Sequence, residues 1–378
     1  MNAFKYDTEP ALATVGDLDA EPLHLAESQK PYLEANGMDK PWGGSQTTGR
    51  KEAERWVGRS YKLWKQWTGY LVRESLIPRN QLSTDDFAGW LAYQTNLALK
   101  GIIGIRAMAE IAETVGETED AKYYLNISET YIQKWQEYGI SRDKTHAKLA
   151  YDWYGSWTTL YNLFADSLLC FHIPKGSRSQ QEQSANWQGP SNQAPVQDDT
   201  AGETASSVFI PDRIYKIQSD WYHNVLQRYG LPLDSRHLYT KSDWEFFAAA
   251  ISSKSTRKEI LDSVAKWVNE TATGMLEDHG ASRGLRKLTN NADNPFADLY
   301  DTEGDGGYPG LAFKARPVVG GHFSFLALER ACGGKAVEAL EFLNTHEAKS
   351  INVQEALDAD RPPPAAGMMP EAGEMGEL

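Results

Sequence analysis

The polar stretches of this chain set carboxylates beside bases, aromatics and glycines, the residue types that do acid–base chemistry on a small substrate. In Gln81-Leu-Ser-Thr-Asp-Asp-Phe87 two aspartates are adjacent. Ser83, Thr84 or Asp85 fits the cap of a following helix, where acids suit the positive helix end. Two neighbouring carboxylates cannot cap one helix equally well, so Asp85 or Asp86 is left over as a general base or substrate ligand. The densest constellation is Tyr229-Gly-Leu-Pro-Leu-Asp-Ser-Arg-His-Leu-Tyr-Thr-Lys-Ser-Asp-Trp244, which places Asp234, Arg236, His237, Tyr239, Lys241 and Asp243 within ten residues. Asp234 with Arg236 or His237 could form a buried network that aims one carboxylate, while Asp243 also fits the first turn of the next helix.

Three further stretches add candidates. Tyr151-Asp152-Trp153-Tyr154 reads either as packing aromatics ahead of a capped helix or as a stacking platform with a carboxylate. Asp298-Leu-Tyr-Asp-Thr-Glu-Gly-Asp-Gly-Gly-Tyr-Pro-Gly310 supplies Tyr300 and Asp301. Its spacing from Asp301 to Asp305 imitates the start of a calcium loop, but Ala312 stands where the closing glutamate belongs. No His or Cys set has zinc spacing, so no metal and no cofactor are assigned. In Arg316-Pro-Val-Val-Gly-Gly-His-Phe323 the glycine pair opens either a plain turn or a helix whose N-terminus faces an anionic group. The candidate set is Asp85, Asp86, Asp234 and Asp301 for catalysis. For substrate binding it is Tyr151, Arg236, His237, Tyr239, Lys241, Tyr300, Arg316 and His322. Nucleophile-elbow and phosphate-loop motifs are missing, and Ser-x-x-Lys at Ser141 and Ser255 lacks the partner motifs of serine acyl-enzymes.

The elements that must position these residues are helices. Apolar residues recur at three, four or seven positions over about 54–75, 86–115, 118–138, 155–171, 212–229, 241–252, 255–269 and 320–331, with a short stretch at 335–345. Trp56, Leu63, Trp67 and Leu71 mark the first; Ile102, Ile105, Ala109 and Ala112 mark the second; Ser242 is a candidate cap for the sixth. No alternating strand pattern competes, so the fold class is all-α. Connections from odd- to even-numbered helices (76–85, 139–154, 230–240 and 270–319) are long and polar, whereas the return connections are mostly short. In an up-down array the long loops emerge at one end, the usual layout of a functional face on a rigid scaffold. The pattern suggests helical hairpins arranged in a ring.

Composition narrows the function classes. The 378 residues carry a net charge of −14, which disfavours a nucleic-acid backbone as partner. No apolar run approaches the roughly 20 residues of a membrane helix. Two cysteines are too few for a disulfide scaffold or a Cys-rich zinc framework. Twelve Trp and 18 Tyr suit a face that binds a sugar or small molecule. Met1 to Asp17 holds no apolar signal core. Residues 1–53 read as an irregular lead-in, 54–331 as the folded domain, and 332–378 as a divergent, largely disordered tail.

Three stretches carry a family resemblance. They are Phe87-Ala-Gly with Gln94-Thr-Asn-Leu-Ala-Leu-Lys-Gly-Ile102; Pro232 to Trp244 followed by Asn269-Glu-Thr; and Asp298-Leu-Tyr-Asp-Thr302 with Ala315-Arg-Pro-Val-Val-Gly-Gly-His-Phe323. Together they resemble the fungal glutaminase A family over about 56–173, 208–273 and 296–330. The resemblance implies a six-hairpin, (α/α)6 toroid and an extracellular enzyme hydrolysing L-glutamine to L-glutamate and ammonia. It also implies longer relatives with upstream helices. The toroid is therefore expected to be incomplete and truncated at its N-terminus, with inserts at about 175–206 and 275–295. A glycoside hydrolase on the same toroid and an inactive remnant stand as alternatives. Localisation of this chain and its oligomeric state are left open.

Overall fold

The computed structural model describes residues 46–83, 88–174, 208–271, 299–307, 317–345 and 347–362. Within them, α1 (Gln46–Glu74), α2 (Thr95–Thr114) and α3 (Thr118–Gly139) form an antiparallel array. Ten α-helices among the described residues place the chain in the all-α class. Helix α2 is buried along most of its length because Ala98, Leu99, Ile102, Ile103 and Ile105 face neighbours on several sides. Gly101 lets α1 approach it, since a Cβ there would lie 2.1 Å from Ser75 Oγ.

The α2–α3 turn shows why the hairpin forms where it does. Gly116 is left-handed at φ +83°, its N–H bonds Glu113 O at 3.1 Å, and Glu117 N–H bonds Ala112 O at 2.9 Å. Those two bonds close a Schellman cap, which satisfies carbonyls left over at a helix end. Trp135 of α3 is fully buried and donates to Thr95 O, tying the hairpin at its other end. On α1, Val57, Tyr61, Trp64, Leu71 and Val72 pack inward, while Trp56, Leu63, Trp67 and Tyr70 line an exposed face.

The remaining elements are α4 (Leu163–Leu168), α5 (Asp212–Val225), α6 (Ser242–Ala250), α7 (Lys254–Glu270), α8 (Ser324–Arg330), α9 (Lys335–Glu338) and α10 (Val353–Asp360). Two small antiparallel sheets join loops: β1 (Gln81–Leu82) with β2 (Trp90–Leu91), and β3 (Tyr239–Lys241) with β4 (Leu299–Asp301). Periodicity gave no sign of them, because two- and three-residue strands are too short to alternate visibly.

Several boundaries differ from the sequence reading. The second helix begins at Thr95 rather than near residue 86, because β1 and β2 occupy the approach. The fourth spans Leu163–Leu168 rather than 155–171. Residues ahead of it are extended and bond a neighbouring loop instead, with Thr159 N–H on Leu233 O at 2.8 Å. Ser242 does not cap α6; Lys241 holds the cap position and the Ser242 hydroxyl meets His322.

Both ends of the assigned domain also need correction. Helix α1 starts at Gln46, inside the stretch expected to be irregular. The tail is not disordered over 332–345 and 347–362. Ala336, Leu340 and Leu343 are buried in the main core, and Ala356 in a second cluster with Trp157 and Trp221. Asp360 is fully buried; its carboxylate accepts the N–H groups of Arg142 (3.0 Å) and Gly155 (2.8 Å). These apolar residues are spread thinly through charged sequence, so composition alone hid their packing. The expected inserts, the lead-in up to residue 45 and the last residues of the tail lie outside the described residues.

The two cysteines form one disulfide, Cys170–Cys332, across 162 residues of sequence. It fixes the segment after α8 to the turn after α4. Closing so long a loop restricts the unfolded chain, an effect typically worth about 2–4 kcal/mol. Cys332→Ser is expected to lower the thermal midpoint by several degrees relative to the oxidised protein, and a reducing agent is expected to do the same to the wild type. An unchanged midpoint in both would show that the crosslink does not stabilise the fold.

Candidate active site

The long loops between helices meet at one small pocket. Its wall takes Ser83 and Gln94 from the approach to α2 and Asn96 from the first turn of α2. Leu149 and Thr158 come from the α3–α4 connection, Leu233, Asp234 and Arg236 from the α5–β3 connection, and Tyr161 and Trp244 complete the wall. The loops are held by backbone pairing rather than by long side chains. Gln94 pairs with Ala150, and Thr95 N–H bonds Leu149 O at 3.0 Å. Thr158 pairs with Asp234, and Ser235 N–H bonds Trp157 O at 3.0 Å.

Within this frame the Asp234–Ser235–Arg236 turn is self-made. The Arg236 N–H and Nε both donate to Asp234 Oδ1 at 2.9 Å, and Nη2 donates to Oδ2 at 2.6 Å. An aspartate accepting the N–H two residues on is the Asx turn that such sequences favour. Arg236 Nη1 extends to Ala88 O at 3.0 Å, so the guanidinium also joins the α5–β3 loop to the segment before α2. Trp244 stacks on Tyr161 with ring centroids 4.1 Å apart and planes 10° from parallel. Lys241 Nζ lies 4.1 Å from the Trp244 ring centroid and 3.7 Å from Asp243 Oδ1. Gly321 makes this corner possible, since a Cβ would meet Asp243 Cβ at 2.5 Å.

The other sequence-derived candidates fall in different places. His237 stacks on Tyr239 at 4.7 Å. Asp301, directly across the sheet from Tyr239, is pushed up by burial and by Asp305, with His237 opposing. This cluster does not line the pocket. Tyr151 donates to Leu76 O at 2.9 Å, and burial raises its hydroxyl pKa; it serves as a packing strut rather than a binding face. His322 meets Ser242 Oγ at 3.0 Å, and burial lowers its pKa. Asp85, Asp86 and Arg316 lie outside the described residues. Among the described residues no cluster of His, Cys, Asp and Glu suits a metal ion.

Residues that the sequence reading did not select include Gln94, Thr158, Tyr161, Trp244 and Glu245. Asn96 is a polar residue inside an apolar helical run, which is a weak signal. Glu245 offered none, because its role comes from Tyr300, distant in sequence. Glu245 is 1% exposed. It accepts Leu231 N–H at 2.7 Å and lies 2.6 Å from the Tyr300 hydroxyl, which also lies 3.0 Å from Tyr229 O. One phenolic proton cannot serve both acceptors. A protonated Glu245 donating to Tyr300, which then donates to Tyr229 O, satisfies every group. Burial pushes the Glu245 carboxyl up to about 8, in agreement with that arrangement. Gly230 must be glycine here, since a Cβ would stand 2.2 Å from Glu245 Oε1.

The family model of the glutaminase A six helical-hairpin domain matches residues 45–209 and 201–279. The chain belongs to this family. A protein named as a probable glutaminase in Arthroderma benhamiae is 58% identical over 314 residues, covering 83% of this chain and 33% of that protein. Glutaminase A of Aspergillus oryzae is 38% identical over 276 residues, covering 72% of this chain and 32% of its own length. The chain thus spans about a third of the length of these relatives. No solved structure matches it. Membership in the six-hairpin family agrees with the all-α class and the helical hairpins read from periodicity.

Glu245 generates a pH prediction. Its folded pKa of about 8 lies above the unfolded carboxylate value, so the folded state holds a proton that the unfolded chain releases near pH 4.3. Its stabilisation is complete below that lower value and is lost as pH rises through about 8. Glu245→Gln keeps an acceptor for Leu231 and a donor for Tyr300. The midpoint of the wild type should therefore fall relative to the Gln variant between about pH 5 and pH 8. Parallel curves for the two proteins would contradict a neutral Glu245.

Proposed function

We propose that this chain is the pocket-bearing part of a glutaminase that hydrolyses L-glutamine to L-glutamate and ammonia. The observation that carries the reading is the meeting of three long loops at a small polar pocket holding Asp234 and Arg236, in a chain 58% identical to a relative named as a glutaminase. Amide hydrolysis needs a water deprotonated by a base, stabilisation of the tetrahedral oxyanion, and a proton for the departing ammonia. Both oxygens of Asp234 are engaged by Arg236. Asp234 is therefore proposed to hold the guanidinium and, through its remaining lone pairs, a substrate ammonium. Asp85 and Asp86 are proposed for proton transfer from their place in the sequence between Ser83, in the pocket wall, and Ala88, whose carbonyl accepts from Arg236. Trp244 and Tyr161, which line the pocket, offer apolar ring edges to the substrate's methylenes.

An extracellular setting is proposed with this activity. Support comes from the Cys170–Cys332 disulfide, which persists in oxidising compartments. The direct test is ammonia release from L-glutamine by the purified chain and by the full-length Arthroderma benhamiae relative. Both are expected to release ammonia, and replacing Asp85 and Asp86 together by Asn should cut the rate by about a hundredfold or more. No release from the full-length relative would overturn the reading. An undiminished rate in the double variant would remove the two aspartates from the chemistry.

A further inference from the structure

We propose that the pocket contains a carboxylate subsite formed by the N-terminus of α2 and the side-chain amide of Asn96. On the glutaminase reading, the group bound there is the α-carboxylate of the amino-acid substrate. Three observations lead to it. First, the orientation of Asn96 is fixed by Asn162, whose Nδ2 donates to both Asn96 O and Asn96 Oδ1 at 3.1 Å. The oxygen of the Asn96 amide is thereby identified, and the opposite atom must be the NH2 group with its two donors.

Second, that NH2 group has no hydrogen-bond partner although Asn96 is only 6% exposed. Its neighbours in the pocket wall are differently placed. Gln94 Nε2 donates to Leu91 O at 2.9 Å, Arg236 is bound to Asp234, and the Ser83 hydroxyl donates to Gly89 O at 2.9 Å. A buried donor pair without a protein acceptor is costly, and an acceptor from a ligand or from solvent satisfies it.

Third, the open donors sit on the first turn of a 20-residue helix. The cap position is Gln94, whose side chain makes no capping bond; of the first-turn N–H groups, that of Thr95 is already given to Leu149 O. The peptide groups of a first turn have no acceptor inside their own helix, and the aligned peptide dipoles make that end positive. Both effects favour an anion over a neutral acceptor. Asp234 does not oppose it, because Arg236 lies against both of its oxygens. The amide and helix end therefore select a carboxylate, in a pocket whose wall also holds Tyr161 and Trp244.

The test compares binding of L-glutamine, L-glutamate, acetate and L-glutaminol, in which CH2OH replaces the α-carboxylate, to the full chain by calorimetry and tryptophan fluorescence. The amino-acid carboxylates should bind at least about tenfold more tightly than L-glutaminol, the size of effect expected for hydrogen bonds to a charged group. Asn96→Asp keeps the shape, removes the donors and adds a like charge. It should abolish that preference. Equal binding of L-glutamine and L-glutaminol to the wild type overturns the proposal and needs no variant. So does a variant, folded by circular dichroism, that lowers turnover but not L-glutamine affinity, since the donors would then serve the oxyanion. Failure of every carboxylate to bind also overturns it. Asn96-dependent binding of acetate or L-glutamate, with L-glutamine neither bound nor hydrolysed, would instead retain the subsite and reject the glutaminase reading.

Discussion

A carboxylate buried in a pocket wall loses its hydration, and several kcal/mol of that cost return only if a cation and donors arrive with it. Asp234 meets this demand from its own turn, since Arg236 is two residues away and folds back onto both oxygens. The remaining arm of the guanidinium reaches Ala88 O, in a segment nearly 150 residues earlier. One ion pair therefore fixes the shape of one loop and the position of another. Removing either partner would leave a buried charge alone, and removing Arg236 would also unfasten the approach to α2.

The frame around this pair is made largely of backbone. Leu233, Asp234 and Ser235 pair with residues 157–159, and Gln94 and Thr95 pair with residues 149–150. These bonds explain why the fourth helix starts late. Residues ahead of Leu163 that have helical periodicity in sequence have their N–H groups committed across the pocket. The opposite side of the loop layer is closed by the C-terminal segment, where Asp360 receives two N–H groups of the α3–α4 connection. A loop held by carboxylate-to-backbone bonds on one side and strand-like bonds on the other has little freedom to move its wall residues. Such rigidity is what placing a reacting group demands.

The helices, the short α2–α3 turn and the collection of long loops at one place follow from apolar spacing and loop length. Those features depend on residues near one another in sequence. The Asp234–Arg236 pair was legible for the same reason, since both members sit in one turn. What sequence could not show are pairings between distant residues. Glu245 with Tyr300, Asn96 with Asn162, and Asp360 with Gly155 each join separated segments, and none has a local pattern. The same limit misplaced Tyr151: an aromatic beside an acid suggests a stacking face, but its hydroxyl is used to hold Leu76 O, 75 residues away.

Asp234 and Glu245, both buried in this region, show how differently one fold can treat the same chemistry. Asp234 lies against a cation and is held as half of an ion pair. Glu245, two turns of chain and one strand further on, lies against a phenol and a backbone N–H, and burial favours its neutral form. A neutral glutamic acid donates as well as accepts, which an ion pair's carboxylate cannot do, and only a donor completes the Tyr300–Tyr229 chain. Its Oε1 accepts from Leu231, and Leu231 is followed by Pro232, Leu233 and the Asp234 turn. The neutral acid thus anchors the start of the segment that the charged one completes. Ionising Glu245 would add a second buried negative charge beside Asp243 and would disturb the pocket from behind, through its backbone rather than through any group that faces the substrate.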